Sequence, residues 1–583
     1  MSHLHLGWVA AVVDSIFSAL QQHQHRPSSA SSLSESAPGR RHPPEREPAD
    51  PDGLIPLLPP TMKDNYVDVA AAEAPTSAGG LLSQDEADMV RLGKAQQFRR
   101  NFSFWSTFGF VSIYMATWEF VIVSMSPSIA ATGYGGFFWT FLGSVLCYSS
   151  VVLSLAEMSS MSPTAGGQYH WVSEFAPAGW QKQASYASGW MTSLGWIASL
   201  AGSVYVCADL VRVCVNISYP DLVFTSWQVF LILLALFILT ILLNTLGTRV
   251  FPTLEVVSLI GHTVGFIVFI GILWGMCRPL NSSRAVFLDF QNNGGWTNFG
   301  TVALLNQVSI IWSMLGSDTI VHIAEEVQDA SLTVPRAMWW SYVFNISMAF
   351  VMVISMLYTI GPIDTIVEAD LPYLNLFSAT GSVGVALFLA IVLFVLIYAG
   401  NVTALATTSR EVWAFARDRG FPFSTWISRM NHKYDMPFNS IYLSSIVALI
   451  LCLITLGSDT AFNIIISVSL LALMSTYMLS IGCVLLRRIQ GGELPPARWS
   501  LGRLGLPINA FAVGYALFIV ILSCLPYSNP TTAIDANWAP AIWAAVILIS
   551  VVAYVFHGRR KFTPPVIFIE GKRARGEQLQ KVL

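Results

Sequence analysis

The sequence predicts an all-α integral membrane protein that crosses the bilayer twelve times, with its first and sixth spans interrupted. Three observations carry this. Of 583 residues, 54% are hydrophobic and only 11% are charged, against roughly 25% charged in an ordinary soluble domain. Even a large core leaves a charged surface, so the deficit points to a solvent without water. Apolar stretches long enough to cross about 30 Å of hydrocarbon, about 20 residues each, recur along the chain. Two of them are broken by polar or charged residues, and those two lie five spans apart.

Apolar runs and the residues that break them place the spans at 104–126, 137–158, 184–213, 226–243, 251–276, 300–325, 337–360, 381–409, 438–456, 461–485, 508–526 and 540–556. An even number puts both tails on one side. With the tails in the cytoplasm, only Arg212, Arg278 and Arg284 of the 31 Lys and Arg fall outside. The short loops after span 8 (Arg410, Arg417, Arg419, Arg429, Lys433) and span 10 (Arg487, Arg488, Arg498, Arg503) then lie inside. Positive charge stays on the cytoplasmic side, so both termini are expected there. Asn216-Ile-Ser and Asn281-Ser-Ser fall outside and are open to glycan attachment.

The expected organisation is a cytoplasmic, largely disordered tail over 1–100, a twelve-helix domain over 101–560 and a cytoplasmic tail over 561–583. Residues 26–60 are rich in Ser, Pro, Arg and Glu, a composition that cannot bury a core. The apolar patch Leu6–Leu20 contains Asp14 and lacks the basic start and small-residue cleavage site of a signal peptide; Met62 offers an alternative start. The seven cysteines are scattered through apolar stretches with no CxxC pair or Cys/His cluster, and behave as small hydrophobes. A net charge of −3 without a basic run gives no sign of nucleic acid as a partner. No HExxH, GxSxG or P-loop motif is present, so neither an enzyme nor a cofactor or metal is expected.

The two interruptions are Tyr114-Met-Ala-Thr-Trp-Glu119 in span 1 and Ser309-Ile-Ile-Trp-Ser-Met-Leu-Gly-Ser-Asp318 in span 6. Their spacing is that of inverted repeats, spans 1–5 and 6–10, in which the first helix of each repeat breaks near the midplane. Broken backbone inside a membrane is tolerated where it lines a solute cavity. The half-helix ends then serve the solute: free N–H groups suit a carboxylate, and terminal carbonyls suit a cation.

Three motifs carry a family resemblance. Trp312-Ser-Met-Leu-Gly-Ser-Asp318 is followed by Ala324-Glu-Glu-Val-Gln-Asp-Ala330 and Val334-Pro-Arg-Ala337. Ser154-Leu-Ala-Glu-Met-Ser159 precedes Pro163-Thr-Ala-Gly-Gly-Gln-Tyr-His-Trp171. Ser409-Arg-Glu-Val-Trp-Ala-Phe-Ala-Arg-Asp-Arg-Gly-Phe-Pro422 follows span 8. In this order and at these topological positions, over roughly residues 85–560, the chain resembles the amino acid–polyamine–organocation (APC) superfamily. Within it, the motifs together resemble the fungal amino acid/choline transporter branch, which includes GABA and choline permeases. The resemblance implies ten core helices in a 5+5 inverted repeat plus two peripheral ones. It implies that Trp312 closes over the substrate, that Asp318 senses protons beside it, and that His262 stands where relatives carry a proton-handling lysine in span 5. Where many relatives have Gly-x-Gly at the span 1 break, this chain has Ala116-Thr-Trp-Glu-Phe, which sets Glu119 within reach of an amine.

The candidate substrate-binding residues are therefore Ala116, Thr117, Trp118, Glu119, Trp312, Gly316, Ser317 and Asp318, with Asp318 and His262 in proton coupling. A carboxylate at the centre of a span costs about 2.5–3.5 kcal/mol on insertion scales unless it faces water or a partner. Helix-end pairing with Ser317 or Thr319 is the plainer account of Asp318. An imidazole exchanges protons near neutral pH, although a lone buried histidine is often only a packing residue. Trp118 and Trp312 are placed to stack on a cationic head group; most of the 19 tryptophans are interfacial anchors. Glu157, Gly166, Gly167, Glu325, Glu326 and Arg410 are expected to form a gate and loops at the cytoplasmic mouth, a structural role being the alternative.

The expected function is a secondary active permease for an amino acid or related amine such as GABA or choline, expected in the plasma membrane rather than the vacuolar membrane, with protons and the bilayer as further partners. A nutrient receptor that signals through its tails is the alternative.

Overall fold

A computed structural model describes residues 83–569 except 125, 247–250, 368–371, 432, 435, 458–460, 527–528, 530 and 532–535. The 26–60 tail, the Leu6–Leu20 patch, the Met62 start and the last 14 residues lie outside the described residues.

Among the described residues, eleven helices are long and apolar enough to cross a membrane. Span 1 runs Phe104–Ser124, span 2 Ser128–Met161, span 3 Gln181–Ser218, span 4 Ser226–Leu246, span 5 Phe251–Met276 and span 7 Ala330–Thr359. Spans 8 to 12 are Val383–Arg417, Phe438–Leu456, Ala461–Ile489, Gly502–Leu522 and Ala539–Phe568. Span 6 completes the twelve as two pieces, helix Phe299–Trp312 and the 3-10 stretch Thr319–Glu326. This is an integral membrane protein with breaks in spans 1 and 6.

Burial sorts the spans. The most apolar window of span 1 is 94% buried, that of span 12 only 11% and that of span 5 only 22%. Span 1 is thus enclosed by protein, while spans 5 and 12 turn most of their surface toward lipid. The third helix of each repeat, spans 3 and 8, pack together antiparallel. Gly189 admits the Phe415 ring, and Thr408 donates to the Trp196 carbonyl at 3.3 Å.

Several helices overrun the expected ends. Span 7 begins at Ala330 rather than 337, and span 8 continues to Arg417 rather than 409. Hydropathy marks where lipid ends; backbone hydrogen bonding continues where other helices cover the polar side chains, as they do for Thr403 to Ala416.

Ordered structure extends into both expected tails. Gln84–Leu92, expected in a disordered tail, is a helix with a capping box between Ser83 and Glu86 and a left-handed Gly93 at its end. Phe562, Val566 and Ile569, expected in the other tail, are buried. The two described chain ends meet on one side of the bundle, here called the terminal face. Lys94 reaches Asp418 at 3.0 Å, and the Thr563 amide donates to the Asp418 carbonyl at 3.2 Å. Asn281 is also corrected as a glycan acceptor. Its amide nitrogen donates to the Leu357 and Gly361 carbonyls at 2.8 and 3.0 Å, and a glycan on that nitrogen would remove one of these two bonds.

Candidate functional site

The break in span 1 is a single residue. Phe104–Met115 ends at Ala116, whose φ of 38° and ψ of 41° are left-handed, and Thr117–Ser124 restarts the helix. A non-glycine residue pays about 1–2 kcal/mol for that conformation. The second half-helix has Glu119 in its first turn, where the positive end of the helix favours a carboxylate. The Thr117 amide is met by Asn345 Oδ1 of span 7 at 3.4 Å.

Span 6 breaks over Ser313–Asp318. Gly316 has φ 104°, and a Cβ there would lie 2.0 Å from the Tyr114 ring of span 1. Only glycine permits this contact, which brings the two breaks together. Tyr114 is held in turn by Ser199 of span 3 at 2.7 Å and packs on Trp196. On the far side of the breaks, Ser124 and Ser313 hydroxyls meet at 2.7 Å. There Trp312 stands edge-on to Phe120 and Phe462, with centroids 5.1 and 5.6 Å apart. Along the two breaks, Trp312 Nε1, Ser317 Oγ, Thr319 Oγ1 and Thr117 Oγ1 are buried and have no hydrogen-bond partner among the described residues, so each keeps hydrogen-bonding capacity to spare.

On the terminal side, Asp318 is fully buried and accepts from two neutral donors, Gln168 Nε2 at 2.6 Å and Tyr477 OH at 2.8 Å. Gln168 belongs to the short helix Gly167–Phe175 after span 2, and Tyr477 to span 10. Asp318 forms no ion pair with another described residue. One turn on, His322 Nδ1 meets the Ala165 carbonyl at 3.0 Å, and its ring packs edge-on against Trp196. Gly167, with φ 49°, lies so close that a Cβ would be 2.9 Å from the His322 ring. Gly166 instead turns the chain beneath Tyr169.

A layer of ion pairs follows. Glu325 takes both terminal nitrogens of Arg417 at 2.8 and 2.9 Å, and Glu326 accepts from Arg410 Nε at 3.0 Å. Asp418 binds Lys94 and the Tyr169 hydroxyl at 3.0 and 2.9 Å. Lys94 is enclosed, and burial followed by the neighbouring Arg417 lowers its pKa below the ordinary lysine value, with Asp418 and Glu325 opposing.

A separate node joins spans 1 and 5. Glu119 Oε1 and His262 Nδ1 are 2.6 Å apart, and Trp118 Nε1 lies 3.1 Å from the same nitrogen. Indole N–H only donates, and one ring nitrogen cannot accept and donate at once. With Trp118 donating, Nδ1 is an acceptor and Glu119 is its protonated partner; with Nδ1 protonated, the tryptophan bond is lost. The position of one proton therefore decides what Trp118 holds.

The expected site residues thus fall into three groups. Ala116, Thr117, Trp312, Gly316, Ser317 and Asp318 gather at the paired breaks. Glu119 and His262, expected in different roles, touch each other. Trp118 departs from the expected stacking position: it is fully buried against His262, Phe266 and Phe269. The left-handed turn at Ala116 resets the helix phase, so Phe120 rather than Trp118 faces Trp312. In the expected gate, Glu326 pairs with Arg410, but Glu157 lies elsewhere. It holds the last turn of span 10 through Arg488 at 2.5 Å and the loop beyond it through the Leu501 amide at 2.9 Å and the Ser500 hydroxyl at 3.0 Å. The residues sequence reasoning missed are Gln168, Tyr477 and Arg417. Gln168 and Arg417 sit inside motifs already singled out, whereas Tyr477 carries no local signal.

A twelve-span bundle whose first and sixth helices break against each other around unpaired polar groups defines a membrane carrier. Residues 102–552 match the family model described as amino acid permease. Two proteins of Schizosaccharomyces pombe, each called an uncharacterized amino-acid permease, are similar to this chain. One is 29% identical over 84% of this chain and 91% of its own length. The other is 28% identical over 85% and 88%. A crystal structure of a manganese transporter of Eremococcus coleocola superposes with a TM-score of 0.49 and 14% identity over 79% of this chain and 95% of that one. The chain belongs to the amino acid permease family and is a membrane transporter, not an enzyme.

Proposed function

We propose that this permease is a proton-coupled carrier of a small amine-bearing solute, an amino acid or a relative such as GABA or choline, bound between the breaks of spans 1 and 6. The observation that supports this most is Asp318, a buried carboxylate that accepts from the neutral side chains of Gln168 and Tyr477 and has no ion-pair partner among the described residues. A charged amine makes hydrogen bonds about twice as strong as neutral ones, so an arriving ammonium displaces one or both donors. Gln168 is attached to the 163–167 turn and Tyr477 to span 10, so the exchange releases the elements that close the terminal side. A solute carboxylate, where present, takes the amides at the start of the second half of span 1. The Trp312–Phe120–Phe462 set covers the other side.

Protons enter this scheme through groups that tolerate occlusion when neutral. Asp318 is one, and the Glu119–His262 pair, whose proton position decides the Trp118 bond, is another. By the distribution of Lys and Arg, the terminal face is cytoplasmic; the plasma membrane is the proposed location.

The test is uptake of labelled amino acids, GABA and choline into proteoliposomes with and without a pH gradient. Asp318→Asn is expected to lose uptake roughly thirtyfold, the equivalent of about 2 kcal/mol for a hydrogen bond to a charged group. Unaltered gradient-driven uptake by that variant removes Asp318 from the mechanism. Binding without uptake in vesicles free of other proteins supports a receptor instead.

A further inference from the structure

Span 5 turns most of its length toward lipid. Its buried residues are Glu255, His262, Gly265, Phe269 and Leu273, a single stripe at helical spacing. Glu255 and His262 are the acidic residue and the histidine of this span, and both lie on the stripe. A carboxylate and an imidazole on the one face of a lipid-facing helix that packs inward are not explained by packing.

Each also has a spare buried atom. Glu255 Oε1 accepts from the Thr403 hydroxyl of span 8 at 2.9 Å, while Oε2 has no partner among the described residues. His262 Nδ1 is engaged with Glu119 and Trp118, while Nε2 has no partner among them. The two residues are seven apart, two helical turns or about 10 Å along the axis. Between them, Ser258 stands three positions after Glu255 and four before His262, the spacings that bring helical side chains together.

We propose that Glu255 is the terminal-side station of a proton relay that starts at Glu119–His262 and runs along this face of span 5. The inference rests on the proton coupling proposed above. The Glu119 carboxyl gives its proton to His262 Nδ1, and Nε2 releases another through the Ser258 hydroxyl and water to the Glu255 carboxylate. Glu255 passes it to water at the terminal face, the far side reprotonates Glu119, and the ring returns by tautomer exchange. Only O–H and N–H bonds form and break. In this scheme release from Glu255 is tied to the transport cycle through span 1, whose first half packs on the Glu255 backbone: a Cβ on Gly109 would lie 2.9 Å from the Glu255 main-chain carbonyl. Movement of that half-helix uncovers the carboxylate.

The groups facing the relay are few. Span 8 presents Thr403 to Glu255, and span 1 presents Gly109. Toward His262, span 1 presents Glu119 and Trp118, and span 7 presents the Phe344 ring. Among these the only titratable partner is Glu119, and no described Lys or Arg forms an ion pair with Glu255 or His262. Glu255 acts on protons and touches no solute in this scheme, so it is a relay residue rather than a binding one.

The experiment uses proteoliposomes with a pH-sensitive dye inside and a mixture of the twenty amino acids, GABA and choline outside. Solute-evoked proton entry is compared with counterflow of the same labelled mixture. For Glu255→Gln the ratio of proton entry to counterflow is expected to fall about tenfold or more, the scale of losing a positioned acid–base group, and Glu255→Asp to restore part of it. An unchanged ratio overturns the relay. Equal loss of both signals in Gln and Asp variants that still reach the membrane overturns it as well, since that marks a structural residue. Absence of solute-evoked proton entry in the unmodified protein refutes the coupling itself, a different outcome from an unchanged ratio.

Discussion

At the scale of single residues, the two breaks depend on one contact without slack. Gly316 has φ 104° and lies against the Tyr114 ring. Any side chain there meets backbone strain of about 1–3 kcal/mol and also displaces Tyr114 from Ser199. Gly316→Ala is therefore expected to insert in the membrane but lose most of its uptake. The measurement is uptake per surface molecule, and a value within about twofold of the unmodified protein would deny the contact its role. Trp118 makes a second case. Trp118→Phe leaves an aromatic ring to pack on Phe269 while removing the N–H that Nδ1 of His262 accepts. The expected result is a shifted pH dependence of uptake with the solute KM nearly unchanged. A raised KM without a pH shift would return Trp118 to the solute site.

At the scale of elements, the spans were legible because each must satisfy its backbone inside lipid, and composition records that requirement locally. The breaks were legible for the same reason, since Glu119, Gly316 and Asp318 are costly in a plain span. What was not legible was which elements answer them. Tyr477 lies in an apolar helix more than 150 positions beyond Asp318, and nothing local marks it. Trp118 faced the wrong way because its orientation depends on one residue's dihedral angles, not on counting. The helix at Gln84–Leu92 hid in polar sequence because its stability comes from the capping box and from docking. Residues 91–102 continue from it across the terminal face. Arg91 reaches Glu174 at 3.5 Å, Gln96 donates to the Glu325 carbonyl at 2.6 Å, and Phe98 stacks edge-on against Trp413 at 4.9 Å. Lys94→Ala leaves Asp418 buried without its cation, a loss of about 3–5 kcal/mol for a broken buried pair. Proteolysis between residues 83 and 102 is expected to accelerate, and Lys94→Met with Asp418→Asn together is expected to slow it again. Equal cleavage of the single and double variants would show that the pair does not hold the segment.

At the scale of the molecule, the two sides of the site are closed by different chemistry. The far side is closed by aromatic edges around Trp312, which slide past one another at little cost. The terminal side is closed by the Asp318 contacts and then by Glu325–Arg417 and Glu326–Arg410, which are discrete bonds and so behave as a two-state latch. Glu157–Arg488 has the same chemistry, yet it ties span 2 to the last turn of span 10 and spans neither break. In the proposed transport cycle this difference separates gate pairs from scaffold pairs. With exposed native cysteines replaced and Ser317→Cys as a reporter, Arg417→Ala is expected to speed labelling from the terminal side about tenfold, because a broken buried pair weakens only the closed state. Glu157→Gln is expected to leave that rate unchanged while lowering thermal stability. Faster labelling in both variants would mean that the terminal layer is one cooperative structure, and that the Glu325–Arg417 pair has no separate part in opening.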